Sequence, residues 1–118
     1  MKKITINPRT FYKNYNALKK RWEEATNAFL SIDEFSLEQL NSLCVFLLNQ
    51  KDDEFALDIL SNLSENEDLN LEICKEIFRK GNISCKVAIC LRKDLDDELK
   101  FICSNSNIIE VREHYRLK

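Results

Sequence analysis

Apolar residues recur along this chain at helical spacing, and the first stretch sets the pattern. Phe11, Tyr15, Leu18, Trp22, Ala25, Phe29 and Ile32 are separated by alternating steps of four and three. Such a stripe predicts one amphipathic helix. Pro8 suits a first helical turn and Asn7 suits the cap before it. The spacing therefore predicts a helix over 8–31, roughly 36 Å long. A second helix is predicted from Ser36, with Gln39 three residues on completing a capping box. The run Leu43-Cys44-Val45-Phe46-Leu47-Leu48 is apolar around most of a helix, as expected for a central element. A strand competes for that run, and Leu37 and Leu40 at helical spacing favour the helix.

Shorter faces follow. Phe55, Ala56, Ile59, Leu60 and Leu63 mark a third helix after the Lys51-Asp52-Asp53 turn. A fourth runs from an Asn70 cap to Gly81, a residue that commonly stops helices. A fifth is expected from Ser84, a sixth from Asp94 and a seventh from Asn107. With one glycine and one proline in 118 residues, few turns requiring positive φ can exist. The expected class is all-α, in a single domain over 1–118.

The later helices repeat. Shifting 68–92 by 26 residues lays Asp68 on Asp94, Leu69 on Leu95, Glu72 on Glu98, Ile83 on Ile109, Lys86 on Arg112 and Leu91 on Leu117. Chance likeness between two amphipathic helix pairs is the competing account. Stacked antiparallel pairs of this kind form a short α-solenoid, here with a long N-terminal helix over its open end. The motifs Asp-Leu-Asn-Leu-Glu (68–72), Lys86-Val87-Ala88 and Asp94-Leu95 resemble the leucine-rich-repeat variant and HEAT-like helical repeats of bacteria. The likeness covers the last half of the chain, and the prolines usual at helix starts in such repeats are absent. The resemblance implies a protein-binding scaffold without chemistry of its own.

Charge changes the picture. Residues 1–30 carry seven basic and two acidic side chains, residues 31–76 two and twelve, and residues 77–118 nine and six. The middle third is thus strongly acidic within a chain of net charge −2. Acids in first helical turns favour the helix dipole. Gathered on one face, they would also steer a basic partner and repel nucleic-acid phosphates. The basic first helix (Lys13, Lys19, Lys20, Arg21) is read as a solvated face; its alternatives are contact with nucleic acid or an anionic surface, as in a nucleic-acid-linked regulator, and pairing with the acidic middle of the chain.

Catalytic constellations are missing from the pattern. His114 is the only histidine, and Cys85 and Cys90 do not share a helical face, so no paired zinc spacing arises. The five cysteines have no paired spacing and are expected as small buried hydrophobes in a reducing cytoplasm. One glycine cannot build a phosphate-cradling loop. No apolar run approaches the length of a membrane span, and Lys2-Lys3 is not followed by a signal-peptide core. The expected protein is no enzyme, and it holds neither cofactor nor metal.

In size, repeat type and charge layout the chain resembles bacterial immunity proteins, the antidotes of contact-dependent growth inhibition and related polymorphic toxin systems. The resemblance implies a cytoplasmic monomer that covers the active site of a basic nuclease toxin. The expected contacts are Asp52, Asp53, Glu54, Asp58, Glu65, Asp68 and Glu72, offering carboxylates to Arg and Lys. Tyr12 and Tyr115 are expected as aromatic anchors. The alternative is a small adaptor or a subunit that self-associates through the helix-one stripe.

Overall fold

Ile4 and Ile6 are fully buried while Lys3 and Thr5 between them are exposed, the two-residue period of a strand. This strand, β1 (Lys2–Ile6), pairs in parallel with β2 (Ala28–Ile32), with Ile4 opposite Leu30 and Ile6 opposite Ile32. The structure is a computed structural model that describes residues 2–25, 28–33, 35–50 and 53–118. Parallel strands need a crossover connection, and helix α1 (Phe11–Glu24) supplies it, packing on β1.

The expected 8–31 helix is therefore corrected at both ends, and the fold is mainly helical without being purely all-α. Asn7 does not cap a helix at Pro8. Its side chain accepts from the Arg9 amide (2.8 Å) and its carbonyl from the Phe11 amide (2.9 Å), which makes a turn before α1. At the other end Ala25 is extended, and the stripe positions Phe29 and Ile32 lie in β2. The physical reason is burial of the β-branched pair Ile4 and Ile6. A β-pair backed by a helix hides them, whereas one uninterrupted helix would leave β1 without hydrogen-bond partners.

Six further helices follow among the described residues: α2 (Leu37–Leu48), α3 (Glu54–Leu63), α4 (Leu71–Lys80), α5 (Ile83–Cys90), α6 (Asp97–Ser104) and α7 (Ile109–Leu117). Caps set their starts. The Ser36–Gln39 capping box is present with both reciprocal bonds. Asp53, Asn70, Asn82 and Asp96 each accept a first-turn amide of α3, α4, α5 and α6. The fifth, sixth and seventh helices thus begin at 83, 97 and 109, within three residues of expectation.

The pairs α2/α3, α4/α5 and α6/α7 each pack internally; α3 also packs on α5, α5 on α7 and α2 on α4. The 26-residue offset is visible in the backbone. α4 and α6 start at 71 and 97, α5 and α7 at 83 and 109. One interaction also recurs at that offset. Arg92 donates to the carbonyls of Ser64 and Asn66, 28 and 26 residues back. Lys118 donates to the carbonyls of Cys90 and Arg92, again 28 and 26 residues back. A cation closing each pair ties it to the end of the pair before.

One core runs through the molecule, from Ile4 and Phe11 through Leu43, Phe55 and Ile77 to Leu99 and Val111. No described helix is long and apolar enough to cross a membrane. The cysteines need a correction. Cys44, Cys74 and Cys85 are buried thiols, but Cys90 and Cys103 form a disulfide between α5 and α6. Their spacing of 13 is not a recognisable pairing in sequence. Folding brings their Cα atoms to 5.7 Å, inside the range a bridge requires.

Gly81 ends α4 as expected, though for a different reason. Its φ is −78°, outside the left-handed region. A Cβ there would lie 2.6 Å from both the Ile77 carbonyl oxygen and the Cys85 Cβ. Glycine is required by close approach of α5 to the end of α4. Gly81→Ala is expected to destabilise the chain by about 1–3 kcal/mol in urea unfolding, as overpacking does. Unchanged stability would show that the α4–α5 corner yields freely.

Candidate functional site

The turn joining α3 to α4 is built around a buried cation. Ser64, Asn66 and Leu69 direct their carbonyl oxygens at the Arg92 guanidinium, at 2.9, 2.7 and 3.5 Å. The Arg92 side chain is only 4% exposed. Asp94 grips the same guanidinium from the other side, accepting from Nε at 2.9 Å and from Nη2 at 2.8 Å. This bidentate pairing holds the Asp94 carboxyl below its usual range. The turn adds its own bonds: the Ser64 hydroxyl donates to the Leu60 carbonyl (2.7 Å), and the Asp68 amide donates to the Asn66 side chain (2.8 Å).

With its carbonyls turned inward, the turn presents Glu65, Glu67 and Asp68 outward, all exposed. Among the described residues, no cation lies within salt-bridge distance of these three. They form a ridge between two open grooves. Asp33, Glu65 and Asp68 line the first groove together with Phe35, Leu40 and Leu63. Leu37, 57% exposed, lies along it as well. Glu65 and Glu67 line the second, with Ala88, Leu91, Lys93 and Asp94. Carboxylates above an apolar floor suit a basic segment that also buries apolar surface.

The other expected contacts that the structure describes do not line the ridge grooves. Asp52 lies outside the described residues, as do Glu34 and Lys51. Asp53 is buried and employed internally: it accepts the Tyr15 hydroxyl (2.5 Å) and the Phe55 amide (3.0 Å), and pairs with Lys19 (3.3 Å). Asp58 accepts the Trp22 indole N–H at 2.9 Å. Both acids tie α1 to α3, so the helix-one stripe is largely spent within the chain. Glu54 is exposed in the first turn of α3. Glu72 lines a different groove, where Lys75 gathers Glu72, Asp96 and Glu98 at 2.8–3.0 Å. Tyr12 is half-exposed, with its ring edge-on to Phe46, and Tyr115 packs under the Lys118 ammonium. Neither tyrosine lines the ridge grooves.

Of the expected set, Glu65 and Asp68 come together; Glu67, Asp33 and Asp94 join them. Glu67 carried a usable signal, because it shares the polar run 64–68 with both. Asp33 and Asp94 carried none, since only the tertiary fold brings them near. No protein-family model matches this chain, and no curated protein or solved structure does. The functional reading therefore rests on the residues themselves.

Two measurements test this construction. Arg92→Met should cost about 2–4 kcal/mol, because it orphans buried carbonyls; Arg92→Lys should recover part of that loss, lacking only the fork. Equal stability of all three chains in urea unfolding would show that the turn stands without the guanidinium. The second test uses pH. Burial pushes the Asp53 carboxyl up, but the Tyr15 hydroxyl, the Ala56 amide and Lys19 outweigh it and leave the group below its usual value. A carboxyl lowered by folding stabilises above its unfolded pKa of about 4 and loses that contribution as pH falls through the folded value. Asp53→Asn should therefore be less stable than the parent at pH 7, with the gap closing below pH 4. A gap independent of pH would mean the carboxylate's charge contributes nothing.

Proposed function

We propose that this chain is a protein-binding immunity protein, which neutralises a basic nuclease toxin by laying an acidic surface over its active site. The ridge of Glu65, Glu67 and Asp68 is the observation that carries this reading. Three carboxylates with no cation within salt-bridge distance among the described residues are held outward by a buried clamp, between grooves with apolar floors. Carboxylates presented this way pair with Arg and Lys and raise the rate of encounter. Phe35, Leu37 and Leu91 offer apolar area that such a contact would bury.

The helix pairs support the scaffold half of the reading. Their 26-residue offset and repeated cation ties are those of a short α-solenoid, kin to HEAT-like or leucine-rich-repeat-variant arrays, whose units bury their faces against neighbours. The contact set proposed is Glu65, Glu67 and Asp68, with Asp33 at its margin. A cytoplasmic monomer, acting without cofactor or metal, belongs to the same reading. An adaptor that joins other proteins through the same ridge is the alternative.

Co-purification with the native partner, followed by titration at several salt concentrations, tests the proposal. Glu65→Lys with Asp68→Lys should weaken binding to a basic partner at least about tenfold at low salt and flatten its salt dependence. Unchanged affinity and slope, or a partner that is acidic, would overturn it.

A further inference from the structure

The disulfide and the acidic ridge are mechanically joined. Cys90 ends α5, and Cys103 lies one turn beyond the buried Leu99 on α6. The segment between them carries Arg92 and Asp94, the two residues that hold the 64–69 carbonyls. Lys118 adds a second hold on this root, donating to the carbonyls of Cys90 and Arg92. We infer that the Cys90–Cys103 bridge is a redox-sensitive strut that sets the order of the Glu65–Asp68 ridge. Its use in partner binding rests on the docking reading above; the strut itself does not.

Reduction changes distances in a close-packed place. Reduction replaces one covalent bond by two thiols, which no longer hold each other and must keep van der Waals distance. Both cysteines are fully buried, so their surroundings must move to admit that separation. The least buried neighbour is the short helix α6, reached through the segment 91–95. Phe101 on the outer face of α6 is 68% exposed, and only Leu99 and Cys103 of that helix are buried. Displacing this segment moves the Arg92 root, and the carbonyls it holds lose their common donor.

The chemistry balances with a small thiol such as glutathione. Two equivalents supply two electrons and two protons; the Sγ–Sγ bond breaks, both sulfurs become thiols, and the small thiol departs as its own disulfide. Attack requires an exposed sulfur, so opening of α6 gates the exchange.

Hydrogen exchange on the full chain tests the strut. The Asn66, Asp68 and Leu69 amides all bond within the turn. After dithiothreitol they should exchange on the order of tenfold faster, while α2 amides keep their rate. Equal turn rates before and after reduction overturn the inference, and so does equal acceleration of α2, which would mean global loosening. A chain carrying Cys90→Ser and Cys103→Ser should exchange at the reduced rate whether or not the reductant is present. If it still responds, another thiol is the sensor and the strut is wrong. Binding of a ten-residue oligolysine peptide to both redox forms separates the two readings. Weaker binding by the reduced chain supports strut and docking surface together. A faster turn with unchanged peptide binding upholds the strut and counts against the docking surface.

Discussion

Three backbone carbonyls meeting at one buried guanidinium are the constraint on which much of this structure depends. A turn between helices leaves acceptors that no ladder satisfies, and acceptors away from water must find donors. Arg92 has five N–H groups in a fixed fork. It divides them between the carbonyls of Ser64, Asn66 and Leu69 and the Asp94 carboxylate. Asp94 both orients the fork and neutralises it. The Glu65, Glu67 and Asp68 side chains are left facing solvent, while those of Ser64 and Leu69 stay buried. An inward cation thus determines an outward anionic ridge, and Lys118 repeats the tie one pair further along.

The amino-terminal β-α-β unit is fastened to the helix pairs by a mixed seam. Phe11, Tyr15, Phe46 and Phe55 supply edge-on and tilted ring contacts. Two polar bonds cross this apolar interface, from Tyr15 to Asp53 and from Trp22 to Asp58. Both acids belong to the strongly acidic third of the chain, and both are engaged in the seam, Asp53 also by the Lys19 cation and Asp58 by a neutral indole. Lys75 likewise gathers Glu72, Asp96 and Glu98. The acids of this stretch therefore divide between internal bonds, a cluster around Lys75 and the carboxylates of the turn after α3.

Much of the helical architecture was legible in the residues. The capping box at Ser36 and the Asn70 cap locate two helix starts through local hydrogen bonds, which sequence reports well. The 26-residue offset was readable because each pair repeats its apolar positions. The β-pair was missed because Ala25, Phe29 and Ile32 continue the α1 stripe by coincidence of spacing. The alternation Lys3-Ile4-Thr5-Ile6 signalled a strand, but its partner lay beyond a helix. The acidic stretch was legible as composition, while its division into buried and exposed acids was not. Asp53 and Glu54 are adjacent; one caps a helix inside the seam and the other faces water. That choice is made by Tyr15 and Lys19, residues far along the chain. The Cys90–Cys103 pairing was hidden for the same reason.

The parallel register of β1 on β2 has a kinetic corollary. β1 cannot acquire hydrogen-bonded neighbours until the whole crossover has been traversed, so its contacts carry a long loop-closure entropy. The pairs α4/α5 and α6/α7 close over a few connecting residues and need no such wait. The molecule thereby joins a carboxyl half of short-range helix pairs to an amino end whose strand pairing must close over a whole helix.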